Sequence, residues 1–478
     1  MSVHPLPSSS PAAQGVDASG VLAFLDALDT APDIEPHSLM ILRHGHLVAS
    51  GWWAPYAPER PHLLYSISKS FTATAAGIAV GEGLIRLDDP VISYFPEFEA
   101  DITDPRSRAM LVRHVASMAS GHETDTIFAA RELDREDLVR GFLLVPPTRD
   151  PGTVFAYNQP ATFALAAIVQ RASGQSLTEY LRPRLLDPLG IGEIAWQRDR
   201  SGRELGFSGL HATTDAIVRL GQLYLRGGVW EGERLLPEWW VAEATRRQIP
   251  NAGVMPWDDW QHGYGFKFWM SRHGYRGDGM FGQFCVVLPE QDAVIATTAD
   301  TWDMPGLLNL VWEHLLPAFR PAPLTGGEAA DAALAERLAG LALPPAAGKP
   351  APPERVEAWS AAAFTPDDGA RAHLPKLTAI DLTQGPDGWT LTLTEDGHPL
   401  RLRLGDAGWS VAEEPVPTAV SGGWTDADTL VADIAFLETP HHLEVTCSLK
   451  DRTFTASWRT APPHRLPLRA MGAPRASA

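Results

Sequence analysis

Tyr65-Ser66-Ile67-Ser68-Lys69-Ser70-Phe71-Thr72 is the stretch on which the reading of this chain turns. In a helix, a serine and a lysine three residues apart share one face. The residues from Ser68 to Gly83 are mostly Ala and other small residues, and Gly83 stands as a C-terminal stop, so the segment reads as a buried helix. Leu63-Leu64-Tyr65 ahead of it reads as an apolar, strand-like approach. The chain has only five lysines (Lys69, Lys267, Lys349, Lys376 and Lys450), and only Lys69 has a serine three residues before it. A hydroxyl at a helix start lies among unpaired N–H groups at the positive end of the helix dipole. That position suits a nucleophile whose product is an oxyanion. Taken alone, the tetrapeptide reads better as a capping serine with a solvated lysine. The apolar character of the helix argues against this, since Lys69 becomes the cation of a buried element.

Outward from this segment, helices are expected over Val21–Leu28, from Gln159 or Pro160 to Ala172, over Asp215–Arg226 and over Leu307–Leu316. Hairpins are expected around His44-Gly45-His46 and around Glu290-Gln291-Asp292, each between apolar runs. Hairpin, helices, then hairpin and helix imply an antiparallel sheet covered by helices. Residues 1–20 read as a loose leader and 21–319 as the main domain. Residues 320–355 are rich in Pro and Ala and read as a linker holding one helix. Short alternating runs fill 356–478 and predict a small all-β domain, sandwich or open barrel. The expected class is α+β, an antiparallel sheet flanked by helices with an all-helical subdomain, plus that C-terminal β domain.

The 478 residues carry a formal net charge of −19. This disfavours nucleic acid or an anionic membrane surface as the main partner, because both need a basic face. Cys285 and Cys447 are the only cysteines, too few for a disulfide framework or a cysteine zinc site. His441-His442 has no partners at metal-ligand spacing, and no metal or cofactor is expected. The first thirty residues show neither a signal peptide nor an anchor, and a cytoplasmic location is the simplest expectation.

A second motif lies further along, Pro151-Gly152-Thr153-Val154-Phe155-Ala156-Tyr157-Asn158-Gln159. Together with Ser66-Ile67-Ser68-Lys69, the stretch Leu84–Pro90 and Arg113–His122, it resembles the serine β-lactamase/penicillin-binding-protein superfamily. The resemblance is to the side that holds class C β-lactamases, D-amino-acid peptidases and family VIII carboxylesterases. It spans about 38 to 317 and implies Ser66, Lys69 and Tyr157 as catalytic residues. It also places Asn158 and Gln159 near the substrate, although the usual third position of the Tyr-x-Asn box is Gln159 here. The Lys/His-Thr-Gly box is missing as such. Its place is taken by His273-Gly274-Tyr275-Arg276-Gly277-Asp278-Gly279-Met280-Phe281. Arg276 is the candidate cation there and Gly279 a candidate for close backbone approach to a ligand. His122 and Asp125 are candidates to flank the pocket, against the plainer reading of solvated loop residues.

Free Lys titrates near ~10.4 and Tyr near ~10, so bringing either to ~7 needs about 4 kcal/mol of differential interaction. The two groups compete, and the base role falls to the Lys69–Tyr157 pair as a unit. The leading expectation is a serine hydrolase that forms an acyl-enzyme on Ser66 and hydrolyses small esters or amides, carboxylesterase favoured. The alternatives are a β-lactamase or D-amino-acid peptidase/amidase, and a non-catalytic ligand-binding protein on the same fold.

Overall fold

The computed structural model describes residues 5–351, 353–386, 388–405, 408–464 and 466–475. The chain divides into two compact units, one of Met1–Gly51 with Leu64–Ala339 and one of Trp52–Leu63 with Gly340–Ala478.

The first unit contains α1 (Ala18–Thr30), β1 (Ile34–Arg43), β2 (His46–Trp52), α2 (Ser68–Gly81), α3 (Ile127–Leu133), α4 (Gln159–Ser173), α5 (Thr214–Leu225), β3 (Trp269–Met270), β4 (Tyr275–Gly279), β5 (Gln283–Leu288), β6 (Ala293–Thr301), α6 (Met304–Leu310) and α7 (Glu328–Ala339). Its main sheet has the order β2-β1-β6-β5-β4-β3. The first and last parts of the unit therefore meet at the sheet centre, where β1 pairs antiparallel with β6 from Ile34–Thr301 to Arg43–Ala293. Every residue of β5 and β6 is buried. That is why these strands are continuous apolar runs rather than alternating ones. α2 is buried over Ser68–Ala79, as befits a central helix of small residues, and α4 packs against it.

Residues 8–17, expected to be loose, are held down. Ser9 N–H donates to Leu47 O at 3.1 Å, and Asp17 N–H to Ala318 O at 2.9 Å. The helix expected within the linker forms as α7 and belongs to the first unit, packing beside α1.

The second unit adds β7 (Ala361–Pro366), β8 (Leu377–Gly385), β9 (Gly388–Glu395), β10 (His398–Arg403), β11 (Ser410–Ala412), β12 (Thr418–Trp424), β13 (Thr429–Phe436), β14 (His442–Ser448) and β15 (Thr453–Trp458). Their order is β10-β9-β8-β7-β15-β14-β13-β12-β11. A parallel bridge from Gly405 to Ser421 brings the two ends of this sheet together, so the unit is a nearly closed barrel. In β9 the inward set is Trp389, Leu391 and Leu393, and the threonines between them are less buried, the expected period of two. Residues 52–63 belong to this unit. Leu63 N–H donates to Glu438 O at 2.8 Å, and Arg60 grips Glu413 with two hydrogen bonds of 2.7 and 2.8 Å.

Gly221 shows how tightly α5 lies on the sheet. A Cβ there would stand 2.6 Å from Val294 Cγ1 and 2.8 Å from Cys285 Sγ. Replacing a helical glycine by alanine ordinarily stabilises by about 1 kcal/mol, whereas overpacking a filled core costs about 1–3 kcal/mol. The clash is the larger effect, so Gly221→Ala is expected to lower the urea midpoint rather than raise it.

Candidate active site

Ser66 lies in a short turn, Tyr65–Ile67, that runs directly into α2. The helix proper begins at Ser68, so Ser66 sits just ahead of it rather than in its first turn. Tyr65 has φ +46°, a left-handed conformation that is unfavourable for a bulky residue by about 1–3 kcal/mol. Its ring is held edge-on by Phe281 at 5.2 Å. The bend leaves Ser66 partly accessible while its neighbours are buried.

Lys69 is only 1% exposed. Its Nζ donates to Ser66 Oγ at 2.8 Å and to Phe207 O at 2.7 Å. It also stands 4.7 Å from the centroid of the Tyr157 ring. Burial lowers its pKa to about 7, against the opposing pull of Asp125 and Asp278. Near neutrality a large fraction of Lys69 is therefore free amine, able to accept a proton.

Tyr157 stacks on Trp269 at 5.2 Å and meets Tyr264 edge-on at 6.1 Å. Its hydroxyl lies against the side chains of Ser66 and Trp269. Burial, helped by Asp278, pushes its pKa up, so the phenol keeps its proton at neutral pH. The three residues singled out from the sequence thus converge, and their electrostatics separate them into a proton acceptor and a proton holder.

The remaining candidates are placed differently. Asn158 is fully buried. Its Oδ1 accepts from Thr126 N–H and from Thr126 Oγ1, both at 3.0 Å, which ties the start of α4 to the start of α3. His122 is buried against Phe142, with Nδ1 at 3.0 Å from Ser120 Oγ and Nε2 at 3.0 Å from Val145 O. Both polar ends of each side chain are used within the protein. Gln159 is half-buried, and its N–H donates to Asp125 Oδ1 at 3.2 Å. Asp125 also accepts from Ile127 N–H at 3.1 Å, so it clasps the starts of both helices while its charge reaches Lys69.

Arg276 is fully buried. It pairs with Asp278 at 3.0 Å, donates to Ser271 Oγ at 2.5 Å and to Asp259 O at 2.8 Å, and lies 4.3 Å from the Trp260 ring centroid. Strand alternation explains this. Arg276 and Asp278 share one face of β4, and Gly277 and Gly279 share the other. A Cβ on Gly279 would lie 2.3 Å from Leu64 O, and one on Gly277 would lie 3.0 Å from Ser70 Oγ. The glycines let β4 press against the turn that carries Ser66. β3 pairs with β4 only at Tyr275 and Arg276, so the edge from Gly277 onward is open beside that turn.

Two charged residues escaped the sequence reading. Asp278 could have been found by its place two residues after Arg276 on one strand face. Its burial raises its pKa to about 6 in spite of the Arg276 guanidinium. Lys267 is fully buried, with Nζ donating to Val115 O at 2.6 Å, and burial together with the Lys69 charge lowers its pKa far below the usual lysine value. Nothing in its local sequence marks it.

Residues 24–316 match the family described as Beta-lactamase. The chain belongs to the beta-lactamase family. It is 28% identical over 314 residues to the 6-aminohexanoate-dimer hydrolase of Paenarthrobacter ureafaciens, covering 59% of this chain and 78% of that one. Esterase EstB of Burkholderia gladioli is 26% identical over 216 residues, covering 40% of this chain and 55% of that one. Among solved structures, SurE shares the fold over 87% of this chain and 94% of its own, with TM-score 0.51 and 19% identity. This member of the beta-lactamase family is a serine hydrolase. Among its described residues no helix is long and apolar enough to cross a membrane.

The Arg276–Asp278 pair gives a test of how this family member holds its β4 edge. Removing one partner of a buried pair leaves an uncompensated charge, which costs about 3–5 kcal/mol. Arg276→Met should therefore lose stability on that scale in urea unfolding. Arg276→Met with Asp278→Asn should recover a large part of it, because no charge then remains buried alone.

Proposed function

We propose that Ser66 is the nucleophile of an acyl-enzyme mechanism acting on small esters, with Lys69 as its general base. The observation that carries this reading is the 2.8 Å contact from Lys69 Nζ to Ser66 Oγ, made by an amine whose pKa burial brings to about 7. Ser66 Oγ passes its proton to Lys69 as it attacks the carbonyl carbon. The carbonyl oxygen becomes an oxyanion, held by the Ser66 N–H and a backbone N–H of the open edge that begins at Gly277. Tyr157 protonates the leaving oxygen as the C–O bond breaks, and the ammonium of Lys69 returns a proton to the phenolate. Water then attacks the acyl group by the same route in reverse, releasing the acid and free Ser66.

Esters are favoured over β-lactams because no cation faces the site from β4. The one candidate, Arg276, is fully buried and spends Nε on Asp278 and Nη1 on Ser271 and Asp259 inside the protein. The wall around Tyr157 is aromatic, with Tyr264 and Trp269, which suits an apolar acyl group. A second reading is linear amide hydrolysis, which the protonated Tyr157 favours. An amine leaving group needs a donated proton more than an alkoxide does.

Intact-mass analysis after fluorophosphonate treatment should show one adduct, located on Ser66 and lost in Ser66→Ala. A panel of 4-nitrophenyl pentanoate, the matching 4-nitroanilide and nitrocefin should be turned over in that order. Equal or faster nitrocefin turnover would overturn the ester reading. Since the neutral amine is the reactive form, kcat/KM should rise with pH through a midpoint of about 7 and level off above it. Lys69→Ala should remove this limb together with nearly all activity. Tyr157→Phe should cost about 10²-fold or more. The double variant should lose far less than the product of the single losses, since the two residues act as a unit.

A further inference from the structure

A groove in the first unit has no part in the chemistry above. It offers about 540 Å³ and runs between α3 and the loop 198–205. Both of its walls lead to the catalytic lysine. Leu205, on one wall, stands two residues before Phe207, whose carbonyl accepts from Lys69. On the other wall, α3 begins two residues after Asp125, which lies within electrostatic range of both Lys69 and Arg131.

The groove departs from an ordinary solvated surface in two ways. Phe128, in the first turn of α3, lines it while remaining 76% exposed, a large apolar face given up to water. Arg131 and Arg135 line it as well, and neither makes an ion pair or hydrogen bond among the described residues. The other charges are mostly engaged. Asp134 pairs with Arg140 at 2.9 Å and accepts from two backbone N–H groups. Asp199 accepts from Ser201 Oγ at 2.7 Å and from Arg203 N–H at 3.0 Å. Arg198 pairs with Glu204 at 3.2 Å and Arg200 with Glu136 at 3.6 Å. Glu132 is the one acid of the groove without a partner among the described residues. Two guanidinium groups without a partner among the described residues thus stand beside an exposed aromatic ring in a chain whose net charge is −19. A guanidinium fork matches a carboxylate in shape and charge.

We propose that this groove selects esters or amides bearing a carboxylate several bonds from the scissile carbonyl, with Arg131 and Arg135 as the anion site and Phe128 as the apolar platform for the connecting chain. The proposal rests on the reading of Ser66 as nucleophile and deepens it.

The test compares isosteric substrate pairs on the full chain. Mono-4-nitrophenyl glutarate against 4-nitrophenyl pentanoate places the charge on the acyl arm. 4-Carboxyphenyl pentanoate against 4-acetylphenyl pentanoate places it on the leaving arm. In one arm the carboxylate ester should be preferred in kcat/KM by about tenfold, and the preference should shrink as salt is added. Arg131→Ala with Arg135→Ala should bring that ratio to about one, and Arg131→Glu with Arg135→Glu should invert it. These side chains are exposed, and unchanged thermal melting will show that both variants fold. No carboxylate preference in either arm, a preference that survives both variants, or faster turnover of 4-nitrophenyl 5-aminopentanoate would each overturn the proposal. Fluorophosphonate labelling of Ser66 keeps the two readings apart. If labelling persists without charge preference, the groove assignment alone falls; if labelling is absent, the nucleophile assignment falls.

Discussion

A lysine ammonium withdrawn from water beside a serine hydroxyl is the constraint that organises this site. Moving Lys69 from 10.5 to about 7 means that the interior disfavours its charge by roughly 5 kcal/mol. Such a penalty arises only if the surrounding helix is buried on all sides, as α2 is. It also requires that nearby negative charge be restrained. Asp125 and Asp278 both favour the ammonium. Asp278 is checked by Arg276, which pairs with it directly. Asp125 spends one oxygen on the backbone of two helix starts. The buried Arg276 keeps Asp278 ionised against the effect of burial, and Asp278 divides its charge between that guanidinium and Lys69. Lys267 is on the receiving side: burial and the Lys69 charge both lower its pKa far below the usual lysine value, so it gives up its proton first.

The backbone around Ser66 shows the mechanical side of the same constraint. The turn carries a tyrosine at φ +46°, and strain of that kind persists only where the surroundings over-determine it. They do so here from two directions. Phe281 clamps the Tyr65 ring, and β4 approaches so closely that its Gly279 faces Leu64 O with no room for a Cβ. Ser66 and the β4 edge are thus positioned by the same pair of contacts, so backbone N–H groups drawn from the two would move together.

The convergence of Ser66, Lys69 and Tyr157 and the layout of the main sheet were legible in the sequence because each rests on local pattern. Ser66 and Lys69 lie one turn apart, Tyr157 sits in a recognisable run, and the runs that became β1, β5 and β6 are apolar at strand length. What stayed hidden depends on which face of an element turns inward. Arg276 was read as a ligand-facing cation, yet strand alternation and the glycine face of β4 send it into the interior with Asp278. Asn158 and His122 adjoin catalytic motifs in sequence, but their polar atoms complete the starts of α3 and α4 and the packing beneath them. The Ala-rich β7 went unread because Ala361-Ala362-Ala363 carries no strand propensity of its own and is recruited by pairing with β8 and β15.

The division of the chain adds a constraint that no active-site residue reveals. The second unit is built from two stretches, residues 52–63 and 340–478, so the barrel is not a tail appended to a finished domain. The polypeptide leaves the first unit after β2, is fixed in the second by Arg60–Glu413 and by Leu63 N–H to Glu438 O, and returns at Leu64, whose N–H donates to Leu210 O at 2.8 Å. The crossing point lies two residues ahead of Tyr65 and three ahead of Ser66. The strained turn is therefore held on its entry side by hydrogen bonds in both units and on its exit side by α2. A barrel that failed to fold would free residues 52–63 and leave the entry side of that turn held by the Leu64–Leu210 bond alone. The dependence runs along the backbone itself and requires no particular interface between the units.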